Sequence, residues 1–304
     1  MKTQRFARQS ILLFGLFLFI LAVLAGCGKA PSGQGGSSKV RIVAAENFYG
    51  EVAQAVGGNH VQVTSVIHQP NMDPHEFEPT PYTARAVSDA QLVIDNGIGY
   101  DSWMDDLVSS GNKNKKVIHV AEDVMKQKLG DNEHQWYNPE TMPKLATTIA
   151  GALAKTDPAH ARDYHRNAKD YQASIKPVGD WVEKLSRKSD NGKVDVSEPI
   201  FDNMLKALGY RTGNNHFKMA VEEGTDPSPR DITQTQKDIE KKKIVFFVNN
   251  IQESSPTVEK MVALARKNKV PVLEVTETLP KGKTYKTWML DILKRIEKIQ
   301  NGRS

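Results

Sequence analysis

The chain has 304 residues, with 41 Lys and Arg against 36 Asp and Glu and a formal net charge of +5. Three of the cations, Lys2, Arg5 and Arg8, sit together at the start, which leaves the remainder close to neutral. No basic patch interleaved with aromatics is present, which argues against a nucleic-acid partner. A single cysteine excludes an internal disulfide framework.

The three cations precede an apolar run, residues 11–25, interrupted only by Gly15. A positive flank followed by such a run is expected to be an export signal rather than part of the fold. It is shorter than the about 20 apolar residues that a membrane span needs. The run ends in Leu24-Ala25-Gly26-Cys27, small residues directly before the sole cysteine. This resembles a bacterial lipoprotein signal. The resemblance implies that residues 1–26 are a signal peptide and that Cys27 carries lipid, holding the protein at the extracytoplasmic face of the cell membrane. Each buried acyl methylene contributes about 0.8 kcal/mol to such an anchor. Residues 27–38, rich in Gly and Ser, read as a flexible tether.

From Lys39 onward the chain alternates short apolar runs with helical stretches. Strands are expected at 40–45, 60–67, 91–95 and 117–120, with helices at 48–56, 81–90 and 103–108. The second half repeats the style. It has strands at 193–196, 217–221, 244–248 and 270–275, and helices at 201–208, 229–242, 256–269 and 285–299. Such alternation predicts an α/β protein with mostly parallel sheets covered on both faces. The Lys241-Lys242-Lys243 cluster reads as the solvated C-terminal end of a helix, where cations complement the dipole.

Between these halves, Tyr164, Ala168, Tyr171, Ile175, Val178, Val182 and Leu185 recur at alternating steps of four and three. That is one apolar stripe along a helix on the order of 45 Å long. Asp157 and Pro158 are suited to cap its start, and Pro177 is expected to kink it. The expected organisation is therefore two Rossmann-like lobes, residues 39–156 and 191–304, joined by a long rigid helix over 157–190. One long helix should resist the wide hinge closure that flexible crossing strands permit.

Four segments could supply metal donors. Asp73-Pro74-His75-Glu76-Phe77-Glu78-Pro79 holds a histidine between prolines that limit its backbone freedom just beyond a strand. Glu133-His134-Gln135-Trp136-Tyr137-Asn138-Pro139 sets a histidine beside aromatics suited to exclude water. Glu198 and Glu277 each follow an expected strand. His68 precedes the first motif. No local spacing rule links these positions, so only the fold can bring them together.

Over the whole region from Lys39, and most specifically at Asp73-Pro-His-Glu-Phe-Glu-Pro, the His134 segment and Ser197-Glu-Pro-Ile-Phe, the chain resembles the zinc- and manganese-binding solute-binding lipoproteins of metal ABC transporters. The resemblance implies metal ligands at His75, His134, Glu198 and Glu277, the last standing where aspartate is usual and Glu274 lying nearby. His68 would be an accessory or competing ligand. It also implies Zn2+ or Mn2+ as bound cargo, a cognate ABC transporter permease as partner, and a monomer.

Two imidazoles and two carboxylates suit a divalent first-row ion better than a thiolate-seeking one. Such a set would fill a tetrahedral zinc, leaving no open position for an activated water. The chain also lacks the His-Glu-x-x-His, Gly-x-Ser-x-Gly and phosphate-loop motifs. An enzyme is therefore not expected. Alternatives that remain open are a receptor for a chelated metal or small organic ligand, and a surface adhesin.

Overall fold

Residues 39–70, 72, 74, 77–111, 115–252 and 255–302 are described by the computed structural model. The expected signal (1–26), Cys27, the tether (27–38) and the candidate ligand His75 lie outside the described residues.

Two four-stranded parallel sheets are wound in the same way. In the first, β1 (Val40–Glu46), β2 (Val61–Ile67), β3 (Leu92–Asp95) and β4 (Lys116–His119) lie in the order β2-β1-β3-β4. In the second, β5 (Lys193–Val196), β6 (Arg211–Thr212), β7 (Phe247–Asn250) and β8 (Val272–Val275) lie in the order β6-β5-β7-β8. The interior strands are almost wholly buried, as expected for sheets covered on both faces. Each sheet reverses its winding direction between its first and third strands. Open α/β sheets bind ligands beyond the strand C-termini at such switch points. The tips there are Glu46 and Asp95 in one lobe. In the other they are Asn250 and Val196, which leads through Ser197 to Glu198.

Helices α1 (Asn47–Gly57), α2 (Pro81–Asp89), α3 (Trp103–Ser110) and α4 (Thr141–Thr156) belong to the first half. The linking helix α5 spans Ala161–Ser186 and runs on through Pro177 without a break in assignment. Helices α6 (Asp202–Ala207), α7 (Asn215–Glu222), α8 (Pro229–Glu240), α9 (Pro256–Lys267) and α10 (Tyr285–Asn301) complete the chain. Proline in the first turn and a Ser or Thr side-chain cap mark the starts of α2, α8 and α9.

Helix α5 buries the seven residues of the expected stripe, and its 26 residues span ~39 Å. It begins later than the sequence pattern indicates. Pro158–His160 forms a separate 3-10 turn, and Asp157 accepts hydrogen bonds from His160 Nδ1 and Tyr164 Oη at 2.6 Å each. Helix α10 adds a second connection to the one that α5 makes. Tyr285 at the start of α10 donates its backbone N–H to Glu51 of α1 at 2.8 Å, and Trp288 packs within 6.1 Å of Phe48. Farther along, Lys184 of α5 pairs with Glu297 of α10 at 2.6 Å. One apolar cluster therefore runs from β1 through α5 to α10 without interruption. A close-packed core of this kind has discrete arrangements rather than a soft hinge, so small lobe adjustments are expected in place of wide closure.

One expected element has the wrong type. Residues 217–221 lie in α7 rather than in a strand. Phe217 and Val221, four apart, are both buried while Met219 between them is 42% exposed, which is helical rather than alternating spacing.

Candidate metal centre

Glu198 leaves β5 in extended conformation (φ −150°, ψ 170°), and Pro199 starts a 3-10 turn immediately after it. Its carboxylate is buried and accepts a hydrogen bond from Asn250 Nδ2. The same amide donates to Glu277 Oε1 at 3.0 Å, so one asparagine holds both carboxylates. Asn250 is fixed in turn. Its N–H donates to the buried Ser197 Oγ at 3.0 Å, and its Oδ1 accepts from Gln252 N at 3.0 Å. Gln252 Oε1 accepts the N–H of Glu277 at 2.7 Å and of Thr278 at 3.1 Å, which sets the loop beyond β8. Gln252 Nε2 and Thr278 Oγ1 both donate to the Pro70 carbonyl, at 2.7 and 3.0 Å. The segment entering the His75 motif is thereby tied to the second lobe.

His134 is fully buried and reaches the same place from the first half. Its N–H donates to Asn132 Oδ1 at 2.9 Å, and its carbonyl accepts from Asn203 Nδ2 of α6 at 3.0 Å. Asn132 Nδ2 donates to the Pro199 carbonyl at 2.7 Å, joining the two donor loops directly. The Trp136 ring lies 5.1 Å from the imidazole and that of Tyr100 6.2 Å, both buried. Of the aromatics in its own segment expected to exclude water, Trp136 flanks the ring, and the second ring comes from Tyr100. Tyr137 donates its hydroxyl to the Thr276 carbonyl at 2.7 Å, next to Glu277. Tyr137→Phe should cost about 1 kcal/mol, roughly 2–4 °C in melting temperature, checked by thermal denaturation.

Two further carboxylates complete the cluster. Glu222, the last residue of α7, places Oε1 3.7 Å from His134 Nε2. Glu133, His134 and Glu222 each offer a donor atom within 4.8 Å of the others. Burial, then the charges of Glu277 and Glu222, drives the pKa of Glu198 well above the usual carboxylate value, with the Asn250 amide pulling the other way. Burial, then Glu133 and Glu277, pushes Glu222 up to about 9. These acids are raised by desolvation and by one another, a pattern that a divalent cation would relieve. Toward solvent, Glu133 and Glu222 line a cleft of about 520 Å³ between the lobes, alongside Asn132, Asp202 and Lys218.

Three of the expected ligands, His134, Glu198 and Glu277, therefore stand in one neighbourhood connected by Glu222 and Asn250. His68 stands apart. Its Nδ1 lies 2.8 Å from the Val66 carbonyl, and the residue faces a separate groove with Asn47, Lys281 and Lys283. His75 and Cys27 lie outside the described residues, although the neighbouring Pro74 carbonyl accepts from Trp103 Nε1 at 3.1 Å. Glu222 and Asn250 were missed by sequence reasoning. Reading 217–221 as a strand hid Glu222. In the sequence, Asn250 is no different from the ordinary polar end of a buried strand.

Residues 42–299 match the family described as zinc-uptake complex component A, periplasmic. The chain belongs to that family. It is an uptake component, not an enzyme. Among its relatives, the manganese-binding lipoprotein MntA of Bacillus subtilis (strain 168) is 25% identical, the match covering 80% of this chain and 82% of MntA. The iron ABC transporter substrate-binding lipoprotein MtsA of Streptococcus pyogenes serotype M1 is 26% identical over 97% of this chain and 98% of its own. The periplasmic zinc binding protein TroA from Treponema pallidum has the same fold, with a TM-score of 0.70 at 17% identity, covering 86% of this chain and 99% of TroA.

Proposed function

We propose that this chain is the extracytoplasmic receptor of a metal importer, taking up one divalent first-row ion between its lobes and passing it to an ABC permease. The observation that carries this reading is the gathering of Glu133, His134, Glu198, Glu222 and Glu277 from both lobes into one largely buried set whose carboxylates repel one another. His134, Glu198 and Glu277 are assigned as ligands, with His75 as the fourth. Glu222 and Glu133 stand at the cleft side, where the incoming ion would meet them and Glu222 would give up its proton. In the same reading Cys27 carries the lipid that keeps the receptor beside its permease, and lobes 39–156 and 191–304 flank the linker 157–190. No helix among the described residues is long and apolar enough to cross a membrane.

An imidazole and carboxylate set accepts zinc, manganese or iron, in keeping with the different metals named for the relatives. Zinc would use four donors near tetrahedral geometry, whereas manganese would draw on bidentate carboxylates. At matched donors the intrinsic order favours zinc. Competition titration of zinc against manganese, with elemental analysis of protein recovered from its native compartment, tests the reading. A tight ion at a ratio of about one per chain, raising the melting temperature with concentration, is expected. A correctly exported protein that takes up no divalent ion at neutral pH would overturn it.

A further inference from the structure

A second group of donors lies at the tips of β3 and β4, and it shares no residue with the set around His134. The parallel register sets Asp95 beside His119, so both side chains leave the same face of the sheet. Asp105, in the first turn of α3, closes the third side, and one donor atom from each of the three lies within 4.8 Å of the other two. Asp95 is only 1% exposed, whereas the His119 side chain is 36% exposed, so the group has a buried floor and an open mouth.

The floor is incompletely satisfied. Asp95 Oδ1 lies 2.7 Å from His119 Nδ1, while Oδ2 is buried and has no hydrogen-bond partner among the described residues. The other charges that most affect Asp95 are negative. Burial raises its pKa, the His119 hydrogen bond and charge lower it, and Asp105 and Glu122 raise it by less, while Glu46 and Asp101 on the interior side feel its charge. Glu122 is held in place by accepting the Ile98 N–H at 2.9 Å, and Asp123 accepts the His119 N–H at 3.2 Å. Among these groups the imidazole alone can carry a positive charge. A buried carboxylate with a vacant lone pair and surplus negative surroundings is strongly stabilised by a dication.

We propose that Asp95, Asp105 and His119 form a second, weaker divalent-cation site in the first lobe, sharing no donor with the cargo site. One nitrogen and two carboxylates, with water completing the shell, select a borderline ion of the zinc class over magnesium or calcium, which take oxygen alone. The site would clamp β3 and β4 to α3, the helix whose Trp103 holds the Pro74 carbonyl ahead of His75.

The test is calorimetric titration of zinc into the full mature chain, in the wild type, His119→Ala, Asp105→Ala and His134→Ala. The wild type should show a tight event followed by a weaker one. His119→Ala and Asp105→Ala should each raise the dissociation constant of the weaker event by about tenfold or more and leave the tight event unchanged. His134→Ala should do the reverse. Asp105 is exposed, so its removal leaves the core untouched. A wild type with a single event, or a weaker event indifferent to both first-lobe variants, would reduce His119 and Asp95 to an ordinary ion pair and sink the proposal. Failure of the cargo reading would look different, as a tight event that survives His134→Ala.

Discussion

His134→Ala is expected to lower zinc affinity by about a hundredfold or more while leaving the fold intact. Loss of groups that merely orient a ligand already costs roughly 10–100-fold, so a direct nitrogen donor belongs at or beyond the top of that range. The fold should survive because the backbone of His134 is held independently of its ring. Asn132 Oδ1 takes its N–H and Asn203 Nδ2 donates to its carbonyl. The cavity left beside Trp136 and Tyr100 costs some stability, on the order of 2 kcal/mol by analogy with other core truncations. Chelator competition at neutral pH measures the affinity, and circular dichroism checks the fold. Glu198→Gln is the companion variant. It keeps an oxygen for the Asn250 amide but loses the charge, so it should weaken zinc comparably without destabilising the protein. Unchanged zinc affinity in both variants would remove the cargo site from this cleft.

The contrast between what was and was not legible in the sequence follows the range of the signals. The linking helix declared itself because seven apolar residues from Tyr164 to Leu185 fall at alternating steps of four and three, one face of a long helix. The parallel sheets were legible for a similar reason, since strands such as β3 and β7 are short apolar runs closed by polar residues. The second brace between lobes was not. Nothing local to Tyr285 or Trp288 says that they meet Glu51 and Phe48 more than two hundred residues earlier. The candidate site divides along the same line. His134 and Glu198 were singled out because each lies in a segment matching a family motif, and Glu277 because it is an acid just beyond the last strand, where the family usually has aspartate. Glu222 has no such mark. It enters the site only because α7 is a helix whose last turn points back across the cleft, and a five-residue apolar window cannot separate that helix from a strand. Asn250, which organises two of the donors, is recognisable only once β5 and β7 are known to be neighbours.

The pH dependence of metal uptake should be steep through neutrality, because the acids that gather around the ion begin protonated. Glu222 titrates at about 9 in the metal-free protein, and burial with neighbouring carboxylates raises Glu198 as well. Zinc binding near pH 7 must therefore expel protons, and affinity should climb as pH rises toward about 9. Calorimetry in buffers of different ionisation enthalpy counts the protons released. The stability of the metal-free protein has the opposite slope. A carboxyl whose folded pKa exceeds its unfolded value binds more protons when folded. Stability is then greatest below the unfolded value of 4.5 and declines until the pH passes the folded value. Across that window zinc should stabilise the protein more as the pH rises. Glu222→Gln should remove much of the decline, stabilising the metal-free protein at pH 7 by on the order of 1–3 kcal/mol and reducing proton release. It should also weaken zinc less than His134→Ala does, since Glu222 lies toward the solvent side. A Glu222→Gln protein with the wild-type pH profile would show that this carboxyl is not part of the electrostatic set that receives the ion.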